Sequence, residues 1–312
     1  MNVALGVEAD LSEAASLEKV SLKPTSGRTD FILDSLRKAE VPPRMAATIL
    51  GKLYLLLATG SYFGCGRAAN QPLVACSSLL SSKNSSSKGS YPFTDAMTLM
   101  HEFFVALLRD LPPLVIHLGM VSSKKVLVYS DASFAKRNNG KIRRKGLGIY
   151  VVDCEKNREY RSSFDYPVWL LNSMDTNAKT LTGPLELLAL LCAVLTFPEF
   201  LKDRQCVIFI DSTQALSACI HGYCRNTDMG RLCNFLHLSQ AALCCQPFFG
   251  WVPSKANPAY LPSREQGEEE RAFFFKRKAQ PRRMTVPTLN ELSSPSMIYV
   301  TELAKGRGVE FD

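Results

Sequence analysis

The chain has 312 residues, enough for two ordinary domains that each bury a core of their own. Apolar residues make up 46% of it and no apolar run approaches the ~20 residues of a membrane helix, so the composition is that of a globular chain, neither disordered nor membrane-spanning. The formal net charge of +8 is compatible with a nucleic-acid partner but is shared by many proteins without one. The N-terminus MNVALGVEADLSEAA is acidic and lacks the basic start of a signal peptide. Ten cysteines form no CxxC pair, and the four histidines have no ligand spacing with them, which argues against zinc and for a reduced, intracellular compartment. Cys192 and Cys206 sit in apolar stretches and read as buried small hydrophobes.

Residues 1–120 read as a mainly helical region. DFILDSLRKAEV places Ile32, Leu33 and Leu36 on one face, and RMAATILGKLYLLLA continues with Ile49, Leu50, Leu53 and Leu57 at helix spacing. Eight serines among residues 77–90 predict a loop or linker. DAMTLMHEFFVALLRD is a further amphipathic helix, stopped by Pro112–Pro113.

At about residue 124 the pattern changes. KKVLVYSDAS is a strand with Leu127, Tyr129 and Asp131 on one face and Val126, Val128 and Ser130 on the other. KGLGIYVVD and REYRSSF predict two more strands in an antiparallel meander. TGPLELLALLCAVLTF is a helix with Pro184 in its first turn, apolar all round from Leu187 to Leu195 and so packed on several sides. QCVIFIDS is an apolar strand ending in an acid. Two helices follow in STQALSACIHG and NTDMGRLCNFLHLSQAALC, then a last strand, QPFFGWVPS, and a helix starting near Pro258. Three strands in a row and then alternation predict an α/β fold over residues 124–270: a mixed five-stranded sheet flanked by helices. Residues 271–312 lack clear periodicity and are expected to form a partly ordered tail.

Three carboxylates stand out by position. Asp131 lies on the first strand, Glu186 is the sole acid of the long apolar helix, and Asp211 ends an otherwise apolar strand. Charge in such surroundings is costly unless paired or metal-bound, and strand ends are where α/β sheets place their chemistry. Carboxylates converging from different elements suit Mg²⁺, and two such ions about 4 Å apart can activate water and stabilise the leaving oxygen of a phosphodiester. Each acid alone has a plainer explanation: Asp211 as a helix N-cap, Glu186 as an acid favouring the positive end of its helix, Asp131 as the opening of a turn. A second feature is KRNNGKIRRKG, where Lys136, Arg137, Lys141, Arg143, Arg144 and Lys145 stand with no acid in the turn between the first two strands. Such a cluster can neutralise phosphates without reading sequence, or can be a solvated hairpin tip around Asn138–Asn139–Gly140. KRKAQPRR, further on, is a weaker basic candidate, and Trp251 reads as core rather than a base-stacking platform.

YSDASF, PLELLALLCAV, FIDSTQALSACIHGY and WVPSKANPAYLPSR together resemble the RNase H domain of retroelement polyproteins, in particular those of tyrosine-recombinase (DIRS-type) retrotransposons. LGVEADLS, VSLKPTSGR and ILGKLYLLLATGSYFGCGRAANQPL resemble the thumb or connection segment that follows the reverse-transcriptase palm, so the likeness spans about residues 4–265. The resemblance implies an RNase H-like fold, two Mg²⁺ or Mn²⁺ ions, and cleavage of the RNA strand of RNA–DNA hybrids. It places the family's first three acids on Asp131, Glu186 and Asp211. The fourth falls on Tyr260, and a phenol with a pKa of ~10 is a poor Mg²⁺ ligand at neutral pH. The paired-aspartate motif of a polymerase palm is missing, so polymerase activity is not expected and a palm would come from another polypeptide. Two expectations stand side by side: an RNase H-type nuclease, or an inactive nucleic-acid-binding remnant of such a polyprotein.

Overall fold

A computed structural model describes residues 2–4, 7–17, 19–37, 40–59, 67–78, 91–92, 95–110, 114–118, 125–136, 142–166, 171, 181–224, 226–264, 267–288 and 291. The chain divides into two compact units that meet in sequence near residue 120, close to the change of pattern at 124.

The first unit contains strands β1 (Asn2–Ala4), β2 (Val7–Asp10) and β3 (Lys19–Pro24), helix α1 (Ser26–Leu36), strand β4 (Glu40–Val41), helices α2 (Pro43–Thr59) and α3 (Gln71–Ser78), strand β5 (Tyr91–Pro92), helix α4 (Asp95–Asp110) and strand β6 (Leu114–His117). The helices form where the apolar spacing placed them. Ile32 and Leu36 of α1, Ile49 and Leu53 of α2, and Phe103, Phe104 and Leu107 of α4 are buried. The expectation of a mainly helical region needs an addition: β1-β2-β3-β6 form an antiparallel four-stranded sheet, and β4 pairs with β5. Of the Ser-rich stretch, residues 79–90 lie outside the described residues.

The second unit is a mixed α/β domain. Its elements are β7 (Val126–Lys136), β8 (Ile142–Asp153), β9 (Arg158–Phe164), α5 (Thr182–Thr196), the short α6 (Pro198–Leu201), β10 (Gln205–Ile210), α7 (Thr213–His221), α8 (Thr227–Ala242), β11 (Gln246–Trp251), α9 (Glu268–Arg277) and β12 (Gln280–Pro281). The sheet order is β11-β10-β7-β8-β9-β12. β7, β8 and β9 are antiparallel neighbours, while β10 lies parallel to both β7 and β11. Along β8, Leu147 through Val151 are all buried; successive side chains of a strand point to opposite faces, so both faces of the sheet are covered there. Gly183 through Thr196 of α5 are also buried, and the helix packs against β7, β8, α7 and α8, as its all-round apolar surface requires.

Two expectations are corrected at the C-terminal side. The helix that begins at Pro258 is a single 3-10 turn, Pro258–Tyr260, and no α-helix: Pro253, Pro258 and Pro262 break the segment into this turn and Ser254–Ala256, and the α-helix starts at Glu268. The described part of the supposed tail belongs to the domain. Phe274 of α9 packs on Tyr150, and β12 adds a sixth strand parallel to β9. Ser162 Oγ donates to the Arg282 carbonyl (2.8 Å), and the Thr285 N–H donates to Thr196 Oγ1 (3.0 Å).

Candidate metal centre

Asp131, Glu186 and Asp211 each offer a carboxylate oxygen, and these atoms lie within 4.8 Å of one another. Asp131 comes from the middle of β7, opposite Gly148 of β8; Glu186 from α5; Asp211 from the residue after β10. A shared site needs the parallel β7–β10 pairing, which brings the Asp131 strand beside the end of the Asp211 strand.

The plainer explanations of the three acids do not hold in this fold. The cap of α7 is Ser212, whose Oγ accepts from the Ala215 N–H (3.3 Å), so Asp211 is not the N-cap. Glu186 lies beyond the first turn of α5, which contains no acid. Asp131 is inside a continuous strand, not a turn. Asp131 and Glu186 are nearly inaccessible, at 2% and 3% exposure, and Asp211 is partly buried.

The electrostatics follow from that burial. Loss of hydration pushes the Asp131 carboxyl up to about 6; a hydrogen bond from Ser263 opposes the rise, and the neighbouring Asp211 adds to it. Glu186 is raised well above the ordinary carboxyl value, first by burial, then by the charges of Asp131 and Asp211, although it accepts a hydrogen bond from the Ala132 backbone. Glu186 Oε2 is buried and has no hydrogen-bond partner among the described residues. Three converging oxygen ligands, two of them raised by burial and mutual repulsion, with one orphaned acceptor, form a donor set that could hold a metal ion.

The WVPSKANPAYLPSR segment builds the wall of this centre. The buried Asn257 donates to the Ser130 carbonyl (2.9 Å) and accepts from the Ala259 N–H (3.0 Å), pinning the segment beside Asp131. The Ser263 hydroxyl donates to the Asp131 carboxylate, with the Tyr260 carbonyl as an alternative acceptor at 2.9 Å. Ser133 Oγ donates to the Ser263 carbonyl. This approach depends on Gly146 and Gly148: a Cβ at either would collide with the backbone of Ala259 or Ser263. The roles of Ser263 and the two glycines were not evident in the sequence, although glycines spaced by two inside a strand are the signal that another backbone lies against it.

Tyr260, where the sequence resemblance places a fourth acid, is half-buried, and the Arg264 guanidinium lies 3.4 Å from the centre of its ring. Trp251 is not core: it is 54% exposed, and its indole N–H donates to the Asp211 carbonyl (3.1 Å). Of the basic cluster, Lys136 lies at the end of β7 and Arg143, Arg144 and Lys145 on β8, while Arg137 and Lys141 lie outside the described residues. Lys136 is five residues along the strand from Asp131, roughly 17 Å at strand rise, so its backbone is not part of the acidic centre. The second basic segment is engaged within its domain: Arg277 pairs with Glu159 (3.3 Å), and Arg282 with Glu199.

Comparison with protein-family models gives no match, and comparison with curated proteins gives none either. Among the described residues, no helix is long and apolar enough to cross a membrane.

Proposed function

We propose that the second unit is an RNase H-like nuclease of retroelement origin that hydrolyses the RNA strand of RNA–DNA hybrids. The observation that carries this reading is the convergence of Asp131, Glu186 and Asp211 within 4.8 Å, from a strand, a helix and a strand end of one mixed sheet. The strand order is compatible with the RNase H-like sheet that the sequence resemblance implies. The all-oxygen, anionic donor set favours a hard divalent cation, Mg²⁺ or Mn²⁺. Two such ions would supply water activation and charge stabilisation at the leaving oxygen. The chain's own part is to position three carboxylates: Asp131 accepts from the Ser263 hydroxyl, Glu186 accepts from the Ala132 N–H, and the backbone of Asp211 is tied by the Trp251 indole at its carbonyl. The charges of Lys136, Arg143, Arg144 and Lys145, residues of β7 and β8, are of the kind that neutralises phosphates of a nucleic acid without reading its sequence.

Tyr260 favours a second reading, a nucleic-acid-binding remnant without catalysis. Its ring is stacked against Arg264 and it brings no carboxylate, so the donor set has three acids. Substrate comparison separates the readings. The nuclease cleaves labelled RNA in a hybrid with Mg²⁺ or Mn²⁺ and spares duplex DNA; the remnant binds the hybrid and leaves it intact. A folded protein that neither binds nor cleaves a hybrid contradicts both.

A further inference from the structure

Arg264 has a cation beside three acids and does not pair with them. Its charge is close enough to favour the ionised forms of Asp131 and Glu186, yet among the described residues it forms no ion pair with either, nor with Asp211. Stacking on Tyr260 holds it by its face. Its Nε is buried and has no acceptor among the described residues. The neighbouring Ser263 is anchored on Asp131, which fixes the base of the arginine next to the acidic centre.

A guanidinium has five N–H donors in one plane. When a ring occupies its face, the donors still lie in the plane at its edges; with Nε buried, the fork for the paired oxygens of a phosphate is the Nη1–Nη2 edge. A carboxylate at position 260 would instead compete for this cation as an ion-pair partner. The tyrosine is therefore more than the loss of a ligand, because it supports a free arginine at the margin of the site.

We propose that Arg264, held on the ring of Tyr260, is a phosphate-binding residue of the acidic centre that takes the non-bridging oxygens of a phosphodiester in an RNA–DNA hybrid. This rests on the hybrid-cleaving reading given above and deepens it. The phenol oxygen has no task in it; the ring does.

The test is binding of a fluorescent RNA–DNA hybrid in Ca²⁺ across a salt series, for the wild type, Arg264→Ala, Arg264→Lys and Tyr260→Phe, with thermal melts of each and hybrid cleavage by the wild type in Mg²⁺ alongside. Arg264→Ala should weaken binding by about tenfold or more, the usual loss for a charge-assisted hydrogen bond. It should also flatten the dependence of log K on log salt by about one unit. Arg264→Lys should keep the salt slope but not the affinity, and Tyr260→Phe should keep both. If Arg264→Ala is folded and binds with unchanged affinity and slope while the wild type cleaves the hybrid, the arginine proposal is overturned and the nuclease reading stands. If the wild type neither binds nor cleaves the hybrid, the nuclease reading falls and takes this proposal with it. Should Arg264→Ala fail to fold, Arg264→Lys decides: lost affinity at the wild-type slope supports the proposal, and wild-type affinity overturns it.

Discussion

Asp131→Asn should stabilise the protein in the absence of divalent ions and lose that advantage when they are added. Burial raises the Asp131 carboxyl from an ordinary value of 3.8 to about 6. A carboxyl whose pKa is higher folded than unfolded holds its proton more tightly in the folded state, so stability falls as pH rises from about 4 through 6. A difference of about two pH units at 1.36 kcal/mol each makes the loss roughly 3 kcal/mol. Glu186, raised by burial and by the same two neighbours, acts in the same direction. Asparagine removes the charge and keeps an oxygen to accept from the Ser263 hydroxyl, so at neutral pH in EDTA the variant should gain about 1–3 kcal/mol, with the full linkage value as an upper bound. Added Mg²⁺ or Mn²⁺ should raise the wild-type midpoint by mass action and leave the variant nearly unmoved. The assay is denaturant unfolding followed by tryptophan emission, which reports the second unit because both tryptophans, Trp169 and Trp251, fall in its stretch of sequence. A variant less stable than wild type in EDTA, together with a wild type indifferent to divalent ions, would refute the reasoning.

Three further outcomes follow from the same geometry. Gly148→Ala should cost about 1–3 kcal/mol or more, because its Cβ must displace the backbone at Ala259 and Ser263; unfolding curves measure the loss, and hybrid affinity should fall with it as the Ser263–Arg264 wall moves. Arg204→Met should cost about 3–5 kcal/mol, because it leaves the buried Asp153, now held by Arg204 at 2.8 Å, without its cation; a variant as stable as wild type would show that this pair does not matter. Replacing Ser212 with Ala should lower stability by about 1 kcal/mol through loss of the α7 cap, while the divalent-ion response persists, since Asp211 is not the capping residue.

Strands and helices whose signals are local could be read from sequence. REYRSSF forms β9 over the same residues, DAMTLMHEFFVALLRD forms α4, and the acidic α5 residue Glu186 faces the two strand acids as its isolation in an apolar helix suggested. The sheet of the first unit could not be read this way. β1 and β2 are three and four residues long, and β3 finds its partner β6 some ninety residues later, so neither length nor period announces them. β12 is two residues with a proline, below any periodic signal, and it is defined only by pairing with β9. The three acids were legible as a candidate metal centre, while plainer roles for each acid alone stayed open. The choice between capping, dipole and ligand roles needed the cap of α7, the start of α5 and the continuity of β7, all of them facts of three dimensions. The wall from Asn257 to Arg264 has the local signal of an α-helix start, but its proline-broken 3-10 turns are held by long-range bonds to Ser130, Asp131 and Ser133 that no local pattern shows.

The most direct test of the central claim is cleavage of a labelled RNA–DNA hybrid by the purified protein with Mg²⁺ or Mn²⁺, beside Asp211→Asn. We expect RNA-strand cleavage that requires the ion and disappears in the variant while the fold persists. Cleavage that survives Asp211→Asn, or none by a folded wild type with either ion, would contradict the nuclease centre assigned to Asp131, Glu186 and Asp211.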